Sequence, residues 1–158
     1  MGLIFLWAFF DKLFGLGFTT CRNAETHAIE FLCNNAWLSG GSPTSGFLNF
    51  AVKGPFASFY HELAGLAIID WLFMLGLLFI GLTLTFGVLV RIGSLTGALL
   101  LLLMWSALLP PANNPVLDDH IIYIIIMFGF ALIHTCKHLG LGRWWSRLEL
   151  VKNYKILE

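Results

Sequence analysis

Trp71–Val90 reads WLFMLGLLFIGLTLTFGVLV, and after the single residue Arg91 the run Ile92–Leu109 continues as IGSLTGALLLLLMWSALL. Each run is close to the roughly 20 apolar residues that carry a helix across about 30 Å of hydrocarbon. A link this short permits only a reversal, so the two runs predict an antiparallel helical hairpin with Arg91 in its turn.

Two further runs flank the hairpin. Gly2–Phe18 (GLIFLWAFFDKLFGLGF) just reaches the lower limit for a span, roughly 17 residues, and Ile121–Cys136 (IIYIIIMFGFALIHTC) makes a fourth. Pro110-Pro111-Ala112-Asn113-Asn114-Pro115 joins the third run to the fourth as a rigid connector, because each proline fixes its own backbone and pushes its predecessor out of helix. The chain has 158 residues, 58% hydrophobic and 11% charged. Soluble domains carry about 25% charged residues, so too few are present here to coat a soluble surface, and the lipid bilayer is the expected solvent. The expected fold is an all-α membrane protein of one domain. It is a four-transmembrane-helix bundle with spans at about 2–18, 71–90, 92–109 and 120–136, a long extracytoplasmic loop over 19–69 and a tail over 137–158. Within the loop, Ala24, Ala28, Phe31 and Leu32 recur at helical spacing, as do Phe47, Phe50 and Ala51, and predict two short amphipathic helices. Ser39–Pro43 separates them as a turn, and Gly54-Pro55 breaks the second.

Charge placement sets the orientation. Lys137, Arg143, Arg147, Lys152 and Lys155 follow the last span and Arg91 lies between the second and third, so the positive-inside rule puts both termini on the cytoplasmic side of the cell membrane. The first run lacks a basic leader and a small-residue cleavage site, and it reads as a retained helix. A three-span arrangement, with the first run lying in the interface, would leave the amino-terminal helix outside with no signal to carry it there. Nine Lys+Arg against nine Asp+Glu give no overall field that would attract nucleic acid.

Asp11 and Lys12 stand inside the first span, where a mid-membrane charge costs roughly 2.5–3.5 kcal/mol. Neighbouring helical positions point about 100° apart, so their partners are expected on other helices. Asp70, Asp118, Asp119 and His120 open the second and fourth spans at the same outer level. Asp70 and Asp118 read as helix N-terminal residues offsetting the macrodipole. For Asp11, Lys12, Asp119 and His120 two readings stand side by side, a proton-handling site and a structural polar lock. Trp7, Trp105 and Tyr123 near such a cluster suit a quinone headgroup, which needs hydrogen-bond donors between flat apolar walls; singly, each reads as an interfacial anchor.

Cys21 and Cys33 share the outer side and form a disulfide candidate. On one straight helix their Cα atoms would stand about 18 Å apart, so a bridge requires a bend between them. His134 and His138 share a helical face near Cys136, but no set of further ligands accompanies them. No bound metal or haem is expected.

Three segments carry a family likeness: Phe5-Leu6-Trp7-Ala8-Phe9-Phe10-Asp11-Lys12-Leu13-Phe14-Gly15, then Ala36-Trp37-Leu38-Ser39-Gly40-Gly41-Ser42-Pro43-Thr44, and the pattern Pro110-Pro111-x-Asn113-Asn114-Pro115-x-x-Asp118-Asp119-His120. With the tail Gly140-Leu141-Gly142-Arg143-Trp144-Trp145, the chain resembles the DoxX-like membrane proteins and, within them, the DoxD type, the small subunit of thiosulfate:quinone oxidoreductase. The resemblance implies a four-helix membrane protein that joins a second subunit in moving electrons from thiosulfate to quinone. The expected function is therefore a subunit of a quinone-linked oxidoreductase, with quinone as substrate and Asp11, Lys12, Asp119 and His120 in its site. The alternative is a non-catalytic accessory subunit of a larger membrane electron-transfer complex. A partner subunit in the membrane or on its outer side is expected in either case.

Overall fold

The computed structural model describes residues 1–23, 26–111, 114, 117–133, 141–145, 147–149 and 151. Among them the chain forms helices and no strand: α1 (Gly2–Phe14), α2 (Ala57–Leu63), α3 (Ala67–Phe86), α4 (Val90–Ala107), α5 (Asp119–Leu132) and a short α6 (Gly142–Trp145), with brief helical turns at Trp37–Ser39 and Phe47–Ala51. Helices stand at all four expected places, yet among the described residues only α3 and α4, with 20 and 18 residues, are long and apolar enough to cross a membrane.

The boundaries shift for local reasons. α1 has 13 residues because Gly15 takes a left-handed conformation at φ 68° and donates its N–H to the Asp11 carbonyl, ending the helix before Phe18. Gly87 ends α3 in the same way, so the hairpin turn is Gly87–Leu89 and Arg91 is the second residue of α4 rather than part of the link. α5 has 14 residues and ends at Leu132, with Ile133 extended where the fourth span was expected to continue, and the rest of that expected span, 134–136, lies outside the described residues.

The segment between α1 and α2 departs further from expectation. Where Ala28, Phe31 and Leu32 predicted a helix, a single antiparallel bridge pairs Arg22 with Ile29, and the Asn23 side chain takes the Thr26 N–H. A disulfide brings the Cα atoms of Cys21 and Cys33 to 5.7 Å, a closeness that a helix over those residues forbids. The expected second stretch does turn helically at Phe47–Ala51, and α2 follows beyond Gly54-Pro55, where the sequence reading had placed no helix.

The helices pack in register by letting small residues face large ones. α1 runs antiparallel to α3, with Gly2 against Thr85 and Leu6 over Gly81, where an added Cβ would fall 2.7 Å from Leu6 Cγ. Gly93 on α4 lies against the Thr83 side chain, and Gly97 meets Ile80 and Met127. These contacts close a core of Phe5, Phe9, Met74, Leu77, Ile80, Ala98, Leu101 and Met127. A smaller cluster of Leu48, Val52 and Ala107, joined by Tyr60 and Leu63, seats the loop segment and α2 on the end of the bundle where α1 stops and α3 begins.

The distribution of polarity is the reverse of a soluble bundle's. Thr83 and Ser94 are buried between helices, whereas Leu72, Leu99, Ile125 and Leu132 are exposed, at 70%, 58%, 65% and 77%. The helices thus present contiguous apolar faces outward.

Candidate functional site

Asp11 is the last helical residue but three on α1 and is only 1% exposed. Its carboxyl accepts hydrogen bonds from the Phe18 N–H at 3.0 Å, the Thr19 N–H at 3.0 Å and the Thr19 hydroxyl at 2.7 Å. The partners expected from other helices are therefore supplied by the loop that follows Asp11's own helix, which the left-handed turn at Gly15 folds back over it. Lys12 Nζ donates to the Thr19 hydroxyl at 3.1 Å and stands 5.9 Å from the centroid of the Phe73 ring.

Asp70 does the equivalent work for the next loop. Lying in the first turn of α3 and buried, it accepts from the Ser42 hydroxyl at 2.8 Å, the Thr44 hydroxyl at 2.6 Å and the Thr44 N–H at 3.2 Å. Its role is a long-range clasp as well as a place near a helix N-terminus. Asp118 caps α5, accepting from the N–H groups of His120 and Ile121, and its second oxygen lies 2.7 Å from His120 Nδ1. His120 thus pairs with Asp118, while Asp119 is exposed. Among the described residues no hydrogen bond or ion pair joins Asp119 or His120 to Asp11 or Lys12. The single outer cluster resolves into three separate clasps, two on loop segments and one on the start of α5.

A groove of about 1180 Å³ opens between α3, α4, α2 and the segment around Ser42–Phe50. Its walls are predominantly apolar, with Phe73 and Phe79 on one side, Leu100 and Leu103 on the other and Phe47 and Phe59 above. Lys12, Thr19, Ser42 and Thr44 gather the polar groups at its loop end, and Thr96 adds a hydroxyl from α4. Tyr60 anchors α2 over it, its hydroxyl 2.6 Å from Ser106 Oγ and donating to the Leu103 carbonyl at 3.2 Å. Cavities that bind organic ligands are apolar with a few placed polar groups, so the groove has the right chemistry and ample room.

The expected headgroup aromatics are elsewhere. Trp7 is half exposed and meets Phe18 edge-to-face at 5.1 Å, Tyr123 packs against the core from α5, and neither they nor Trp105 line the groove. α5 contributes nothing to its wall, which removes Tyr123 from reach whatever its ring chemistry.

A second, polar cavity of about 480 Å³ opens beside the disulfide and is lined by Arg22, Asn23, Glu30, Asn34 and Asn35 with both cysteines. Cys21, Arg22 and Asn35 line this cavity and the groove alike. No group of three or more His, Cys, Asp or Glu able to hold a metal occurs among the described residues, and His134, Cys136 and His138 lie outside them.

The sequence reading passed over Thr19, Ser42, Thr44, Tyr60 and Phe73. Ser-Pro-Thr at 42–44 did carry a signal, since hydroxyl residues at a turn seek local or long-range acceptors; nothing local marked the other residues.

These features define a class, an all-helical protein with two helices capable of crossing a membrane and an apolar groove whose polar groups collect at one end. No protein-family model, characterised protein or solved structure matches the chain.

Proposed function

We propose that the protein is a multi-pass protein of the cell membrane that binds a quinone in the α3–α4 groove, as a DoxD-like subunit of a quinone-linked sulfur oxidoreductase. Both termini face the cytoplasm in this reading, and the disulfide-bearing segment lies outside. The outward apolar faces of all four long helices support the membrane setting, because contiguous exposed leucine and isoleucine is tolerated in hydrocarbon and not in water. α1 and α5 accompany the α3–α4 hairpin in the bilayer, and the Gly15–Thr19 return lies at the headgroup level.

The observation that carries the ligand is the placement of Lys12 at the polar end of an otherwise apolar groove. Its amino group has a hydroxyl partner and an aromatic face, and it retains donor capacity for a carbonyl oxygen of the headgroup. The isoprenoid tail would follow Phe73, Phe79 and Leu100.

In nanodiscs, decylubiquinone should quench the intrinsic tryptophan fluorescence saturably, and Lys12→Met should weaken binding about tenfold, as expected for one charge-assisted hydrogen bond. Quenching that never saturates, or is equal in the two proteins, rejects the site. Thiosulfate-dependent quinone reduction, measured in membranes with and without the chain, then separates a catalytic subunit from an accessory one. The accessory reading draws on one specific observation: the carboxyls of Asp11, Asp70 and Asp118 are all engaged in holding loops or a helix end.

A further inference from the structure

We propose that α2 is an interfacial helix of the outer leaflet, with Phe59 and its flank resting on lipid acyl chains and with Ser58, His61 and Glu62 in water. This placement rests on the membrane setting proposed above, whatever ligand the groove holds.

The length of α3 sets the level. Its 20 residues rise about 30 Å at 1.5 Å per residue, the thickness of the hydrocarbon layer, so its first turn stands at the edge of that layer. Only Ala64, Gly65 and Leu66 separate this turn from α2, and Gly65, left-handed at φ 79°, breaks the helix between them. α2 is tied to the same level on α4. Gly54, just before the helix, approaches the Leu109 carbonyl so closely that no Cβ would fit, and the Tyr60 hydroxyl lies 2.6 Å from Ser106 Oγ. These attachments on both sides put α2 at the boundary between headgroups and acyl chains.

The rotation of the helix is fixed as well. Ala57, Tyr60 and Leu63 pack on the cluster of Leu48, Val52 and Ala107. Helical neighbours stand about 100° apart, which sends Phe59 to one side of Tyr60 and His61 to the other, with Ser58 and Glu62 beyond His61. Phe59, His61, Ser58 and Glu62 are all exposed. The outward surface of α2 is therefore divided, aromatic on one flank and polar on the other. Phe56, at the start of the helix, is exposed too, and Phe50, at 83%, is the most exposed large hydrophobic side chain among the described residues. Phe50, Phe59 and the outward Leu72 of α3 line the same groove, so the aromatic flank adjoins the surface that α3 presents to lipid. A helix divided in this way at this level sinks its apolar side about 5–10 Å into the headgroup and acyl boundary. The groove gains an entrance by it: with Phe50 and Phe59 on its rim, a ligand dissolved in the outer leaflet reaches the groove without crossing water.

The test uses the full chain in phosphatidylcholine nanodiscs, with the photoreactive residue p-benzoylphenylalanine installed in turn in place of Phe59, Glu62 or Ile125. All three positions are exposed, so the probe displaces no packed neighbour. After irradiation, intact mass spectrometry should show a gain of one phospholipid at Phe59 and at Ile125 on α5, and none at Glu62. Lipid at Ile125 but not at Phe59 would stand α2 in water, and the proposal would fail with the membrane setting intact. No lipid at Ile125 would remove the membrane setting and the proposal with it. Equal labelling at Phe59 and Glu62 would overturn the fixed rotation. A cross-link from Phe59 to a second chain in place of lipid would also overturn the proposal, because another copy would then cover the aromatic flank.

Discussion

The end of the bundle where α3 turns into α4 is closed by omission, and the opposite end by acceptors. At the first, three residues, Gly87–Leu89, make the reversal, and missing side chains at Gly81 and Gly93 let Leu6 and Thr83 settle against the neighbouring backbone. At the second, the irregular chain between α1 and α2 brings backbone donors into buried places where no helix satisfies them. There Asp11 collects Phe18 and Thr19, Asp70 collects Ser42 and Thr44, and the disulfide draws Cys21 to Cys33. A buried backbone N–H must find a partner, so carboxyls inside apolar runs belong to the loops that need them. They do not meet across the helices to form one reactive cluster, and the polar end of the groove is left to Lys12, Arg22, Asn35 and the hydroxyls beside them.

That contrast breaks at predictable costs. Asp11→Ala is expected to be the most damaging change, leaving two backbone N–H groups and a hydroxyl without their acceptor and lowering stability by about 3 kcal/mol. Thermal unfolding in detergent, followed by circular dichroism, measures it, and a loss confined to a few tenths would mean that water replaces the carboxyl. Gly93→Leu attacks the other end by overpacking and should cost about 2 kcal/mol; a variant as stable as the wild type would show that α3 and α4 have room to part. Asp118→Ala removes a helix cap worth about 1 kcal/mol, visible as earlier fraying of α5 in hydrogen exchange. Lys12→Met should change stability by less than about 0.5 kcal/mol, since its one described hydrogen bond is solvent-exposed, while weakening quinone binding. A large loss of stability there would place Lys12 among the clasps and not at a ligand.

The α3–α4 hairpin was legible because unbroken apolar runs of helical length admit few other structures; its turn was misplaced because Arg91 is conspicuous in the sequence and the left-handed residue that ends α3 is the less conspicuous Gly87. The early stop of α1 was also written in the chain, in Gly15-Leu16-Gly17, although overall hydropathy carried the expectation past it. Asp11 and Lys12 stand out in the sequence as charges in an apolar run, but their partners follow from where the helix ends, which residue type does not reveal. The Asp70 contacts reach 28 and 26 residues back to Ser42 and Thr44, distances over which no local pattern operates. Trp7, Trp105 and Tyr123 were chosen for their chemistry, whereas membership of the groove depends on which helix face a residue occupies. Phe73 and Phe79, on the face that α3 turns toward the loop segment, needed the packing to be found.

The position of a bound quinone separates the groove from the interfacial aromatics most directly. An azido-benzoquinone photolabel, activated with the chain in nanodiscs and mapped by mass spectrometry, should mark Phe73, Phe79, Tyr60 or Leu103 and be displaced by decylubiquinone. Displaceable labelling at Trp7, Trp105 or Tyr123 with none in the groove would contradict it.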